Sequence, residues 1–176
     1  MRLVLDTNVV IDWLVFDDPF LAEFRRSVLE GRVKVVTHEP ALTELRRVLG
    51  YPELRLTVDR QTGVLARYEA QTEMLAGFTE PLPERFPECR DPDDDPFLAL
   101  AWHAKAHALV SRDKRVLKLA KKARKFGFEV ITVPQMAALV GPGAAVGPGT
   151  AGGPGAAVAP TAAGAIGAIG AVDPRS

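Results

Sequence analysis

At 176 residues the chain suffices for one compact domain with its own core and falls short of two ordinary ones. Its 47% hydrophobic and 25% charged residues suit a water-soluble globular protein, and 22 basic residues balance 22 acidic ones, so net charge selects no partner and any nucleic-acid affinity must come from local arrangement. The single cysteine, Cys89, excludes a disulfide framework and a zinc site built mainly from thiolates.

The first predicted element is a short leucine and β-branched strand, Arg2–Leu5, which stops at Asp6. The apolar stretch around it is interrupted by Asp6 and Asp12, which a secretory signal would not carry, and no segment suits a membrane span. A cytoplasmic address without a membrane partner is expected. Pro19 opens a predicted helix, Pro19–Leu29, and Val33–Val36 is a second strand. Glu39–Leu49 is the next helix, stopped by Gly50, and Asp59–Gly77 contains a longer one. A helix over Pro96–His107 leads into a third strand, Ala108–Val110. A helix over Lys114–Lys125 follows, ended by Gly127, and then a fourth strand, Glu129–Val133. Strands alternating with helices predict an α/β layer fold with a mainly parallel sheet over residues 1–140. Residues 141–176 hold 10 of the 15 glycines, with Asp173 and Arg175 as their charges. Their side chains are too small to offset the cost of ordering, so a disordered low-complexity tail is expected.

In such sheets ligands bind beyond the carboxyl ends of the strands, and several acids fall there. Asp6 follows the first strand and Asp113 the third, in Val110-Ser111-Arg112-Asp113. A third source is Asp91-Pro92-Asp93-Asp94-Asp95-Pro96. Asp95, before Pro96, suits a helix N-cap, which leaves Asp94 as the better metal ligand and Asp95 as its alternate. Asp91 and Asp93 read as turn residues. Glu44 shares a helical row with Ala41 and Val48, at the border of the buried stripe, where a merely solvated acid would gain nothing. Asp113 has a competing reading as the cap of the helix at Lys114. Asn8 either turns the chain or orients Asp6. Carboxylates brought together repel, and a hard divalent cation with oxygen ligands relieves the repulsion.

These residues carry a resemblance. Leu5-Asp6-Thr7-Asn8 resembles the opening motif of the PIN-domain family. Thr37 followed by Glu44-Leu45-Arg46-Arg47 is similar to the second motif, the Asp91–Ala101 segment to the third, and Val110-Ser111-Arg112-Asp113 to the fourth. The order is that of the family over about residues 1–135. The branch it looks like contains VapC-type toxin components of bacterial toxin–antitoxin pairs. The resemblance implies a three-layer PIN-like fold and a magnesium or manganese site. It further implies endoribonuclease cleavage of single-stranded RNA leaving a 5′-phosphate and a 3′-hydroxyl, a homodimer, and inhibition by a cognate antitoxin. Carried onto this chain, it makes Asp6, Glu44, Asp94 and Asp113 the catalytic and metal residues, with Asp6 and Asp94 as principal ligands. Thr7, Asn8 and Ser111 would orient these ligands or contact phosphate. Pro96 departs from the family pattern, which usually has a polar residue there, and the tail has no counterpart.

Arg112, Lys114, Arg115, Lys118, Lys121, Lys122, Arg124 and Lys125 form the densest basic run, and Lys114, Lys118, Lys121, Lys122 and Lys125 share one face of the predicted helix. It could hold phosphates flanking the scissile one, or be a solvated face. His103 and His107 have the spacing of a zinc pair but lack the intervening glutamate, and are read as ordinary helix residues. Trp13, Phe16, Phe20 and Phe24 are read as core or dimer contacts, with base stacking a weaker option. Two rival readings stand beside the ribonuclease: a non-catalytic RNA-binding or interaction module on the same fold, and a DNA nuclease or phosphohydrolase. An aspartyl-phosphate phosphatase would want a second aspartate where Asn8 stands.

Overall fold

The computed structural model describes residues 1–141. The tail, with its expected disorder, lies outside the described residues. Five strands form one sheet in the order β3-β2-β1-β4-β5, and every neighbouring pair is parallel. They are β1 (Arg2–Leu5), β2 (Lys34–Thr37), β3 (Thr72–Met74), β4 (Ala108–Val110) and β5 (Glu129–Ile131). Eight helices accompany them among the described residues: α1 (Thr7–Leu14), α2 (Ala22–Leu29), α3 (Glu39–Leu49), α4 (Val58–Gln71), α5 (Asp95–His103), α6 (Lys114–Leu117), α7 (Ala120–Ala123) and α8 (Val133–Val140).

The strands bury both faces, as parallel strands covered by crossover helices must. Leu3, Leu5, Val35, Val110 and Ile131 pack into one apolar layer with Trp13, Phe24, Leu42, Leu45, Tyr68 and Met136. Val4, Val36, Leu109 and Val130 point the other way and pack with Phe97, Leu98, Ala101, Val116 and Phe128. The alternation along each strand is the two-residue period of a β-strand, and it yields helix, sheet, helix: the three-layer α/β fold.

Several predicted elements need correction. The Lys114–Lys125 segment is not one helix but two single turns, α6 and α7, with a 3-10 turn at Arg124–Phe126. Lysines spaced three and four apart repel along a continuous helix, and the predicted common lysine face is lost. Helix α5 ends at His103, so His107 is not on it; the His107 Nδ1 instead accepts from the Arg2 amide at 3.1 Å. The last strand stops at Ile131 because Thr132 caps α8, in a reciprocal box with Gln135. The edge strand β3 and the helices α1 and α8 add to the predicted set.

Chain order explains where a site can form. From β1 the chain runs to β2 and β3 on one side, then crosses to β4 and β5 on the other. The direction reverses between β1 and β4, where the crossovers leave a crevice at the carboxyl ends. Leu5 pairs with Val110 there, so Asp6 and Ser111 leave the sheet side by side.

Candidate functional site

Asp6 occupies the N-cap position of α1, and its backbone carbonyl accepts from the amides of Val9 (2.9 Å) and Val10 (3.1 Å). Its carboxylate makes no capping bond. That frees the side chain to face the crevice, where Oδ2 accepts from the Ser111 hydroxyl at 2.6 Å. The residue is only 5% exposed. Burial pushes its carboxyl above the usual range; Ser111 and the amides of Asn8 and Thr7 pull it down, and Asp113 pushes it up.

The other acids gather around it. Glu44, half-buried on α3, is raised first by burial and then by the charges of Asp6 and Asp94, with the Thr7 hydroxyl and Arg47 acting against these. Asp94 is raised by burial and by Asp6, Asp113 and Asp91, while the Cys89 thiol beside it lowers it. The four acids sense one another across one crevice. Asp113 differs: its carboxylate caps α6, accepting from the Arg115 amide at 2.6 Å, and pairs with the Arg115 guanidinium at 3.0 Å. Those bonds hold it below the usual carboxylate range. Asp6, Glu44 and Asp94 form no ion pair with lysine or arginine among the described residues.

Asp94 and Asp95 part company. The N-cap of α5 is Asp94 rather than Asp95, because the 3-10 turn Pro92–Asp94 runs straight into the helix and makes Asp95 its first residue. Asp94 caps nothing with its side chain, whereas the Asp95 carboxylate turns back to accept from the Cys89 amide at 2.6 Å. The Cys89 thiol lies 3.2 Å from Asp94 Oδ2. Cys89 thus steadies both acids. Sequence reasoning missed this; a cysteine five residues before an aspartate gives no periodic signal.

Among the supporting residues, Thr7 and Ser111 are buried at the crevice, and Ser111 Oγ also accepts from the Asp113 amide at 3.0 Å. Asn8 has an exposed side chain and meets Asp6 through its backbone. Thr37 is fully buried, and its hydroxyl lies beside the Tyr68 phenol. In the basic run, Arg112 pairs with Asp12 at 2.6 Å and Asp18 at 3.0 Å, and Arg115 with Asp113 and Asp91, so both guanidinium charges are matched by carboxylates. Lys114, Lys118, Lys121, Lys122 and Lys125 are exposed and unpaired among the described residues. Trp13 and Phe24 are core, in edge-to-face contact at 5.2 Å, while Phe16 and Phe20 are exposed.

The donor set consists of hard carboxylate oxygens in a crevice where burial and mutual repulsion disfavour charge, which is the chemistry a divalent cation relieves. Among the described residues no three histidine, cysteine, aspartate or glutamate side chains are already drawn together as ligands of one ion.

A parallel α/β sheet with acids at its topological switch point defines a class: proteins whose chemistry sits in a carboxylate crevice at the strand ends. The family model of the PIN domain matches residues 2–115, and the chain belongs to that family. PIN domains are generally metal-dependent nucleases. No curated protein and no solved structure matches the chain. No helix among the described residues is long and apolar enough to cross a membrane.

Proposed function

We propose that this PIN domain is a metal-dependent endoribonuclease acting on single-stranded RNA, and the toxin of a toxin–antitoxin pair. The observation that carries the reading is the buried Asp6 carboxylate at the switch point, raised by its surroundings and within reach of the charges of Glu44, Asp94 and Asp113. Holding Asp6, Glu44 and Asp94 near one another without a lysine or arginine partner among the described residues gains the fold nothing, so the arrangement is explained by a cation.

Asp6 and Asp94 would hold magnesium or manganese, with Glu44 and Asp113 completing the site directly or through waters. When bound, the ion makes hydroxide available near neutral pH and stabilises charge on the phosphate. Ser111 keeps Asp6 aimed into the crevice, and Thr7 does the same for Glu44. Cys89 holds Asp94 while its amide keeps Asp95 aside. The unpaired lysines after α6 would draw RNA to the crevice. A homodimer and a cognate antitoxin belong to the same reading, as does a cytoplasmic address.

The test incubates the full chain with mixed RNA, single-stranded DNA and small phosphate esters, in magnesium, manganese or chelator, beside Asp6→Asn. RNA cleavage that needs metal is expected. In Asp6→Asn it falls by more than about a hundredfold, beyond the roughly 10- to 100-fold lost when a group merely orienting a ligand is changed. Turnover of DNA or esters without RNA would replace the ribonuclease with the DNA nuclease or phosphohydrolase. The rival is a non-catalytic module on the same fold; RNA binding without cleavage at any metal concentration would establish it.

A further inference from the structure

Beside the acids, toward β5, the surface opens into a cavity of about 600 Å³. That lies within the range that accepts small ligands. Ser111 belongs to both places: it lines the cavity, and its hydroxyl is bonded to Asp6. Whatever fills the cavity therefore abuts the reacting centre.

The walls are mostly apolar, from Pro19, Leu117, Val133 and Pro134, and Phe20 stands at the rim with 77% of its surface exposed. Among the described residues the lining contains one cation, Arg112, already matched by two carboxylates, Asp12 and Asp18. Arg112 thus keeps no net positive charge to hold a phosphate. An uncharged flat group suits the apolar walls and the free aromatic face.

Apart from Arg112 Nη1, the polar side-chain atoms of the lining are also committed. Asp18 accepts from the Phe20 amide at 2.9 Å and from Arg112. The Thr132 hydroxyl donates to Gln135 Oε1 at 3.0 Å and accepts from the Gln135 amide. Ser111 donates to Asp6 and accepts from the Asp113 amide. Little is left to read a base edge by hydrogen bonds, the usual source of strong discrimination between bases.

We propose that this cavity receives the nucleobase next to the cleaved phosphate, stacked on Phe20, and selects it by ring size: purine over pyrimidine, with adenine and guanine treated alike. The inference rests on the ribonuclease reading and deepens it.

The test uses the full chain carrying Asp6→Asn, so that RNA stays intact. A uridine oligonucleotide of about ten residues carries one 2-aminopurine, moved along the strand; stacking should quench its fluorescence at one register. At that register adenine, guanine, uracil, cytosine and an abasic sugar are compared by fluorescence anisotropy. Adenine and guanine should bind about tenfold tighter than the abasic strand, with pyrimidines between. Adding Phe20→Ala should erase these differences, and Phe20→Trp should keep them. Phe20 is exposed, so its truncation spares the core. Equal affinity for purine and abasic strands, or strong preference for adenine over guanine or the reverse, overturns the cavity's role while metal-dependent RNA cleavage by the native chain stands. So does a Phe20→Ala variant that changes oligomeric state in sedimentation but leaves RNA binding intact, which would assign the face to a second copy of the chain. Failure of the native chain to bind or cleave RNA removes the ribonuclease reading and this inference together.

Discussion

Ser111 is the residue through which the site is most sensitive to a small change. Its hydroxyl is a donor to the buried Asp6 carboxylate and an acceptor from the Asp113 amide, tying the ends of β1 and β4 together. Ser111→Ala leaves a buried carboxylate without that donor, at a cost of about 1–3 kcal/mol. It also releases the orientation of a proposed metal ligand, which lowers metal affinity by roughly 10- to 100-fold. Titration calorimetry with manganese reads the second effect; an unchanged affinity would show that Asp6 does not need Ser111 to aim it. Residues of this kind were legible in the sequence for Asp6, Ser111 and Glu44, because strand ends and helical rows fix position by simple periods. Asp95 was misread as a cap because the sequence does not show that a 3-10 turn continues into α5. The partnership of Cys89 with both acids depends on the path of an irregular loop, which no period describes.

At the scale of elements, what escaped sequence reading has distinct causes. Helix α1 carries Val9, Val10 and Ile11, β-branched residues that do not favour helix; burial of Val9, Val10 and Trp13 against the sheet decides it. Strand β3 is three residues at the sheet edge, too short for a pattern. Helix α8 follows Thr132-Val133-Pro134-Gln135, a capping box with proline near its start, which ends the strand two residues before the apolar run does. The irregular chain between β3 and α5 is fastened by Phe78, stacked between His38 (5.6 Å) and His103 (4.0 Å). His38 also caps α3, its Nδ1 accepting from the Ala41 amide at 3.4 Å, which only the unprotonated ring nitrogen can do. Burial lowers both imidazoles, with Glu80 opposing this at His103. Neutral histidine is thus favoured by folding, so its stabilisation is present above about pH 6.5 and is lost as pH falls through the lowered folded-state value. Loss of the cap is worth about 1 kcal/mol, about fivefold in local opening. Amides of residues 75–90 should exchange faster at about pH 5 than at pH 7 after correction for intrinsic rates. His38→Asn, which caps without titrating, should flatten that dependence. If the wild-type segment shows no such dependence, Phe78 is not its fastening.

Across the whole molecule the acids impose a pH dependence of the opposite sign. Asp6, Glu44 and Asp94 are all raised in the folded state, chiefly by burial. The folded chain therefore holds their protons more tightly than the unfolded one. Their contribution to stability is full below the ordinary carboxylate range and is lost as pH rises through the raised values. A bound divalent ion needs the deprotonated forms, so protons and metal compete for the same crevice. The increment in melting temperature given by manganese over chelator, taken at each pH, subtracts the histidine effect and should grow from about pH 5 to pH 7.5. With metal at 100 times its Kd the gain is about 2.7 kcal/mol, roughly 8 °C for a domain of this size. Asp6→Asn removes a buried charge while keeping an acceptor for Ser111, so in chelator it should melt a few degrees above the native chain and gain little from manganese. An increment that survives Asp6→Asn, or a variant that melts lower in chelator, would mean that the folded domain does not hold Asp6 against its own stability for the sake of an ion.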